Sequence, residues 1–360
     1  MAVIESGREV HSGGDVAATA PNPVLVEVTR GPITESRHRG AIAVVDAAGS
    51  PVLAIGDVAA PVYPRSAVKA LQALPLVESG AAAAFRLSDA ELALACSSHD
   101  AEPMHVETAR RMLAKAGLDE RALECGAQWP RPEAGWAAMA RAGARPGPIH
   151  NNCSGKHAGM LAVGRHLGVA TTGYSAAGHA VQRLVRTAVE EMTGEVLDHA
   201  PCGIDGCSIP TYAVPLAALA GAFARFAAPE REPAVRAAAI RRLTAACFAH
   251  PEMVAGSGRY CTEVLRVLTG LGFVKTGAEG VACAALPTLG LGVALKCDDG
   301  AGRASEAMMS AVLLALLGPV LDQARAGAVR AAGFPTLRNW RGQEVGTVRA
   351  AGPLAGGLRR

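Results

Sequence analysis

Apolar residues in this chain follow two rhythms. Near both ends they run or alternate over short stretches, as in strands; between them they recur every three or four positions, as on helices. Val24 to Val28 reads as a strand. Ala41 to Val45 and Val52 to Ile55 are apolar runs joined by Asp46-Ala-Ala-Gly-Ser50, a hairpin signal. Phe273 to Lys275, Val281 to Leu286 and Val293 to Cys297 read as strands separated by tight glycine turns, and Ser208 to Val214 as a further strand. Helical spacing predicts Ser66 to Leu74, with Pro75 ending or kinking it, and a helix through Ala95 capped by Ser88 with Glu91 at the capping-box distance. It also predicts Pro103 to Ala116, Cys153 to Leu167, Gly178 to Met192, Leu216 to Phe226, Pro233 to Phe248, Arg259 to Leu268 and Ser305 to Leu317. Gly126 to Pro148 is rich in tryptophan, proline and glycine and reads as irregular. The pattern is α+β: one antiparallel sheet assembled from the N- and C-terminal parts, with a large helical region between them.

Composition narrows the function classes. The 360 residues are 50% hydrophobic and 19% charged, ample for a buried core. A net charge of +3, no basic stripe and 4% aromatics argue against a nucleic-acid partner. No run of about 18 apolar residues exists, and Ala307 to Leu317 is too short, so no membrane span is expected. The polar start, residues 1–22, reads as a mobile tail and not as a secretory signal. Residues 23–351 read as one catalytic unit and 352–360 as a C-terminal tail. Nine cysteines without an export signal suggest reduced thiols and a cytoplasmic location. Six of them sit in apolar or mixed surroundings, as small core residues do.

The basic residues carry the first chemical hint. Thirty of the 35 are arginine, and only Lys69, Lys115, Lys156, Lys275 and Lys296 are lysine. A GC-rich genome accounts for the scarcity, but not for the neighbours of three of them. An ammonium can become a neutral amine; a guanidinium cannot. Ser66-Ala-Val-Lys69 places a hydroxyl and an amine on one helix face, where a buried lysine can take the serine's proton. Lys275-Thr-Gly277 sits where the strand from Phe273 ends. Ser-x-x-Lys paired with Lys-Thr-Gly is the combination used by β-lactamases and penicillin-binding proteins. Their Ser-Asp-Asn motif is missing, and Ser97-Ser98-His99-Asp100 is its stand-in. Two pairs result, Ser66–Lys69 and Ser98–Lys275, one for the nucleophile and its base and one to shuttle a proton to the leaving group.

A third constellation joins Asn151-Asn-Cys-Ser-Gly-Lys-His157 to Cys202-Gly-Ile-Asp-Gly-Cys207. A phosphate loop is excluded, because His150 stands where its first glycine belongs and His157 follows the lysine. A metal site fits better: Cys153 and Lys156 share a helix start and Cys207 lies in a glycine-flanked turn. Buried thiols with a helix cap are the competing reading.

Taken together, these blocks resemble the rhizobial-type L-asparaginase family over nearly the whole chain. The resemblance rests on Pro64-Arg-Ser-Ala-Val-Lys-Ala-Leu-Gln72, Cys96-Ser-Ser-His-Asp100, Asn151-Asn-Cys-Ser-Gly-Lys-His-Ala-Gly-Met160, Gly203-Ile-Asp-Gly-Cys-Ser-Ile-Pro210 and Lys275-Thr-Gly-Ala-Glu-Gly280. It implies a fold similar to the serine β-lactamase and glutaminase group, a homodimer, and hydrolysis of L-asparagine to L-aspartate and ammonia. It further implies Ser66, Lys69, Ser98 and Lys275 as catalytic residues, and a zinc ion held by Cys153, Lys156 and Cys207 that helps orient substrate. Arg65, His157 and Asp205 would support substrate and metal. Two other readings are a penicillin-recognising serine hydrolase and a non-catalytic zinc-binding protein.

Overall fold

A computed structural model describes residues 21–357. The first twenty residues of the expected N-terminal tail lie outside this range. Asn22 is held: its amide donates to Asp298 at 2.9 Å and its carbonyl oxygen Oδ1 accepts from the Asp57 amide at 2.7 Å.

One eight-stranded antiparallel sheet organises the molecule. Its order is Thr336–Arg338, Glu344–Ala350, Val24–Arg30, Ile33–Asp46, Leu291–Cys297, Val281–Leu286 and Phe273–Thr276, with Pro51–Ile55 also paired to Ile33–Asp46. The expected α+β architecture is therefore what forms, with strands from both ends and the helices between. The long strand Ile33–Asp46 holds it together: Ile33 to Arg39 pair with Val24–Arg30, and Gly40 to Asp46 pair with Leu291–Cys297.

Both faces of the sheet are covered, so its inner strands lack polar alternation. Ala41, Ala43 and Val45 face one core, Ile42 and Val44 the other. The first core takes in the large helical region, including Leu216–Ala227 and Ser154–His166; the second is closed by Tyr260–Val267, Gly302–Leu317 and Gln323–Gly333. Gly292 lets Leu216–Ala227 approach the sheet: a Cβ there would lie 2.0 Å from the Ala224 nitrogen. Gly302–Leu317 with its following turn to Val320 is long and apolar enough to cross a membrane by length and composition. Here it is a core helix, with Met308, Met309, Val312 and Leu313 buried against the sheet.

Some elements escaped the pattern. Glu133–Arg141 is a helix within the stretch expected to be irregular; it buries no residue and so carries no apolar stripe. The outer strands Thr336–Arg338 and Glu344–Ala350 and the first half of Ile33–Asp46 bury only Val348 and His38. Ser66 to Leu74 is not one helix. It breaks into a 3-10 turn Arg65–Val68 and short helices Lys69–Gln72 and Leu74–Glu78, with Pro75 in the first turn of the last. Ser88 and Glu91 form the expected capping box. Past Ala351, Gly352–Leu354 is a 3-10 turn that buries Leu354.

Candidate active site and metal centre

Strand alternation aims Lys275. Phe273 enters the core beneath the helical region and Val274 the opposite one, so Lys275 returns to the first face. Its ammonium donates to Ser98 Oγ at 3.1 Å and to the Thr276 carbonyl at 2.8 Å. Lys69, fully buried, reaches the same hydroxyl from the other side, donating to Ser98 Oγ at 3.0 Å, Ser97 O at 2.5 Å and Asn152 O at 3.4 Å. An ammonium has three donors, and all three are used. The pairing read from spacing therefore changes. No hydrogen bond joins Ser66 to Lys69 among the described residues, and both lysines converge on Ser98. Burial pulls the Lys275 amine down from its ordinary value to about 8.

The backbone around Ser98 is pinned. Its amide donates to Val254 O at 2.9 Å and the His99 amide to Asn152 O at 3.2 Å. His99 Nδ1 accepts from the Ala101 amide, so Nε2 carries the proton and donates to Ser154 Oγ at 2.9 Å. Burial, with His105 stacked beside it, holds that imidazole well below its usual range, hence neutral.

Ser66 faces the same space. A cavity of about 250 Å³ is walled by Ser66, Ser98, Asn152, Arg131, Arg259, Glu306 and the segment Thr276 to Gly280. Arg65, just before Ser66, has φ +50°. Of five non-glycine residues with positive φ among those described, four (Arg65, Ala101, Ser208 and Glu279) stand within four positions of an expected site residue. Strain concentrates where side chains must be aimed. Gly277 packs against the Ser66 turn: a Cβ there would lie 2.9 Å from Pro64 O and 3.1 Å from the Ala67 nitrogen.

The expected metal ligands also come together. Lys156 Nζ donates to Cys207 Sγ at 3.1 Å, and Cys153, Lys156 and Cys207 are all buried. Cys153 Sγ donates to Asn152 Oδ1 at 3.0 Å; its neighbour Cys207, with Lys156, holds the Cys153 thiol well down, and Cys153 together with burial pushes Cys207 up. Burial opposes the Lys156 charge, but Cys153, Cys207 and Asp205 outweigh it and raise the amine. Burial likewise opposes the Asp205 charge, while Lys156 and Arg65 hold that carboxyl below its ordinary value. Arg65 Nε donates to Asp205 Oδ1 at 2.8 Å, tying this cluster to the residue before Ser66. Tyr174 Oη accepts from the Glu124 amide, so its hydrogen goes to His157 Nδ1 at 2.6 Å. The proton on His157 is then at Nε2, which is buried without a partner.

Two thiols and an amine within reach are a donor set that would suit zinc once they had given up their protons. A second group lies at His38, Cys297 and Asp299, whose ligand atoms fall within 4.8 Å of one another. Spacing gave no hint of it, because sheet pairing brings His38 to the end of Leu291–Cys297. Asp299 already accepts from His38 Nδ1 at 2.6 Å and Cys297 Sγ at 2.9 Å, while His38 Nε2 is buried without a partner. Spacing also missed Arg131, Arg259 and Glu306. Asn152 lay inside a quoted block, but its useful atom is a backbone carbonyl, invisible in a motif.

A hydroxyl between two buried amines is equipment for acyl transfer through an activated serine. A family model for L-asparaginase II matches residues 26–350, and the chain belongs to that family. It is thereby an asparaginase-type amidohydrolase, and the assignment favours neither the penicillin-recognising nor the non-catalytic reading. No curated protein matches the sequence. Among solved structures, a β-lactamase from Mycobacterium bovis is 18% identical over 81% of this chain and 94% of its own, with a TM-score of 0.35. A protein called Mglu, in its tris and glutamate form, is 15% identical over 81% of this chain and 62% of its own, also at 0.35. This chain thus spans less than two thirds of Mglu. TM-scores of this size make neither backbone a guide to this one.

Proposed function

We propose that the chain hydrolyses the side-chain amide of L-asparagine to L-aspartate and ammonia, with Ser66 as nucleophile and Ser98 as the hydroxyl that carries its proton. The observation behind this reading is the convergence of Lys69 and Lys275 on Ser98 in the cavity that Ser66 lines. In this reading Lys69 has to give up one proton before it can act as the base. Its two remaining N–H groups then serve Ser97 O and Asn152 O, and its lone pair accepts from the Ser98 hydroxyl. The Lys275 ammonium donates to Ser98 Oγ and stabilises negative charge there.

Ser66 Oγ attacks the amide carbon as its proton passes to Ser98 and the Ser98 proton to Lys69. The tetrahedral intermediate breaks its C–N bond, and the nitrogen leaves as ammonia on receiving that proton back through Ser98. Water attacks the acyl-enzyme by the same route, returning Ser66 its proton and releasing aspartate.

Cys153, Lys156 and Cys207 would hold Zn²⁺, with a fourth position open to water. When bound, the ion supplies a fixed positive centre that replaces the labile protons of this cluster. These ligands are not among the cavity walls. The expected orienting effect therefore acts through the protein: Cys153 follows Asn152, whose carbonyl positions Lys69, and Asp205 holds Arg65 beside Ser66.

The deciding assay is ammonia release from L-asparagine and L-glutamine, with and without added zinc, followed by mass-spectrometric mapping of the trapped acyl group. Release from asparagine with the label on Ser66 is expected. A label on Ser98 overturns the division of labour, and no release overturns the activity.

A further inference from the structure

The serine cavity has a second, charged end that the acyl chemistry does not use. Asp100, buried, accepts from Arg259 Nη1 and forms an ion pair with Arg131 Nε at 3.2 Å, and the Arg131 amide donates to Asp100 O at 3.1 Å. One carboxylate thus holds two guanidiniums that both line the cavity. Each guanidinium has five N–H groups, so most remain free to bind. Glu306 lines the same end, and its carboxylate makes no hydrogen bond or ion pair among the described residues. Burial raises the Glu306 carboxyl above its ordinary value even though Arg259 and Arg131 act the other way. A half-buried carboxylate left unpaired beside two arginines already committed to another acid is a vacancy for a cation.

From this geometry we infer that Arg259 and Arg131 bind the α-carboxylate of the substrate and Glu306 binds its α-ammonium, so that this end reads the backbone of a free α-amino acid. The inference deepens the proposed function and rests on it for the choice of amide. The planar fork of arginine suits a carboxylate, and the two charges of opposite sign demand a zwitterion. A peptide-bound asparagine has neither charge and is excluded. Glu279, also among the walls, is exposed and folds over Gly300, which places it at the rim rather than the charged end.

The test uses the full chain and three amides: L-asparagine, succinamic acid, which lacks the amine, and 3-aminopropanamide, which lacks the carboxylate. Glu306→Gln is expected to raise KM for L-asparagine by at least about tenfold and leave succinamic acid unchanged. Arg259→Gln is expected to do the same for L-asparagine and leave 3-aminopropanamide unchanged. Arg131→Gln, whose side chain is more exposed, serves if Arg259→Gln does not fold. Equal losses on all three amides, or none on asparagine, overturn the assignment. Calorimetric binding of L-aspartate keeps the two claims apart. If the wild type releases no ammonia, weaker aspartate binding in both variants still supports the charged end, and undiminished or absent binding overturns it.

Discussion

Two clusters of buried lysine lie side by side in this molecule and are tuned in opposite directions. Lys275 meets a hydroxyl, a carbonyl and other cations, and burial lowers its amine to about 8. Lys156 meets two sulfurs and Asp205, and its proton is held more tightly than usual despite the same burial. Burial alone therefore does not assign a lysine its task; the sign of the neighbouring charge does. The first cluster makes an amine that can exchange a proton near neutral pH. The second keeps its proton until something of higher charge replaces it.

The largest expected effect is on the first cluster. Lys69→Arg should lower kcat/KM by about 10²–10⁴-fold with the fold retained, because a guanidinium cannot accept the serine proton. A urea melt confirms the fold, and substantial residual turnover refutes the base. Lys275 gives a pH signature. As an ammonium donor it should let activity fall as pH rises past about 8, and Lys275→Arg should remove that limb along with much of the rate.

Next comes a stability test with the opposite sign. The amine of Lys275 titrates lower folded than unfolded, so its burial penalty is full below about pH 8 and fades toward the unfolded value of 10.5. Lys275→Met should abolish activity yet stabilise the protein at pH 7 by on the order of 1–3 kcal/mol. Urea unfolding at pH 7 and pH 10 should show that gain shrinking as pH rises. A loss of stability at pH 7 would show that the lysine holds the fold together.

For the second cluster, zinc should protect. Addition of Zn²⁺ at about 100 times its Kd should raise unfolding free energy by about 2.7 kcal/mol and slow alkylation of Cys153, and Cys207→Ser should blunt both effects. Unchanged melting and alkylation would leave only two buried thiols beside a lysine. The smallest effect is expected at Lys115, which donates to Glu91 at 2.6 Å and to Arg86 O at 3.0 Å. Lys115→Arg should change stability by less than about 1 kcal/mol, a control that separates lysine scarcity from lysine function.

Much of this was legible in the sequence, for reasons that differ by region. Strands such as Val281–Leu286 are covered on both faces and read as continuous apolar runs; Ser88 and Glu91 announce their cap. Glu133–Arg141 and the outer strands pack little and leave no pattern. At the site, residue types named the players, but not which pairs meet. Ser66-x-x-Lys69 reads as a local pair, and only the depth of Lys69 sends its amine to Ser98. Arg259 and Glu306 carry no motif, since the cavity that gives them meaning is made by strands and helices distant in the chain.

The sheet has a consequence for how the chain is made. Its first three strands end at Ile55, and the strand that pairs with the inner half of Ile33–Asp46 is Leu291–Cys297. A ribosome adding about 5–20 residues per second needs roughly 12–50 s to make the chain between them. Throughout that interval Gly40 to Asp46 presents an open, apolar edge, the kind of surface that recruits wrong partners. Lys275 is also unmade, so Ser98 waits with one amine. The enzyme cannot act before it is nearly complete, and its longest exposure to misassembly falls in the same window.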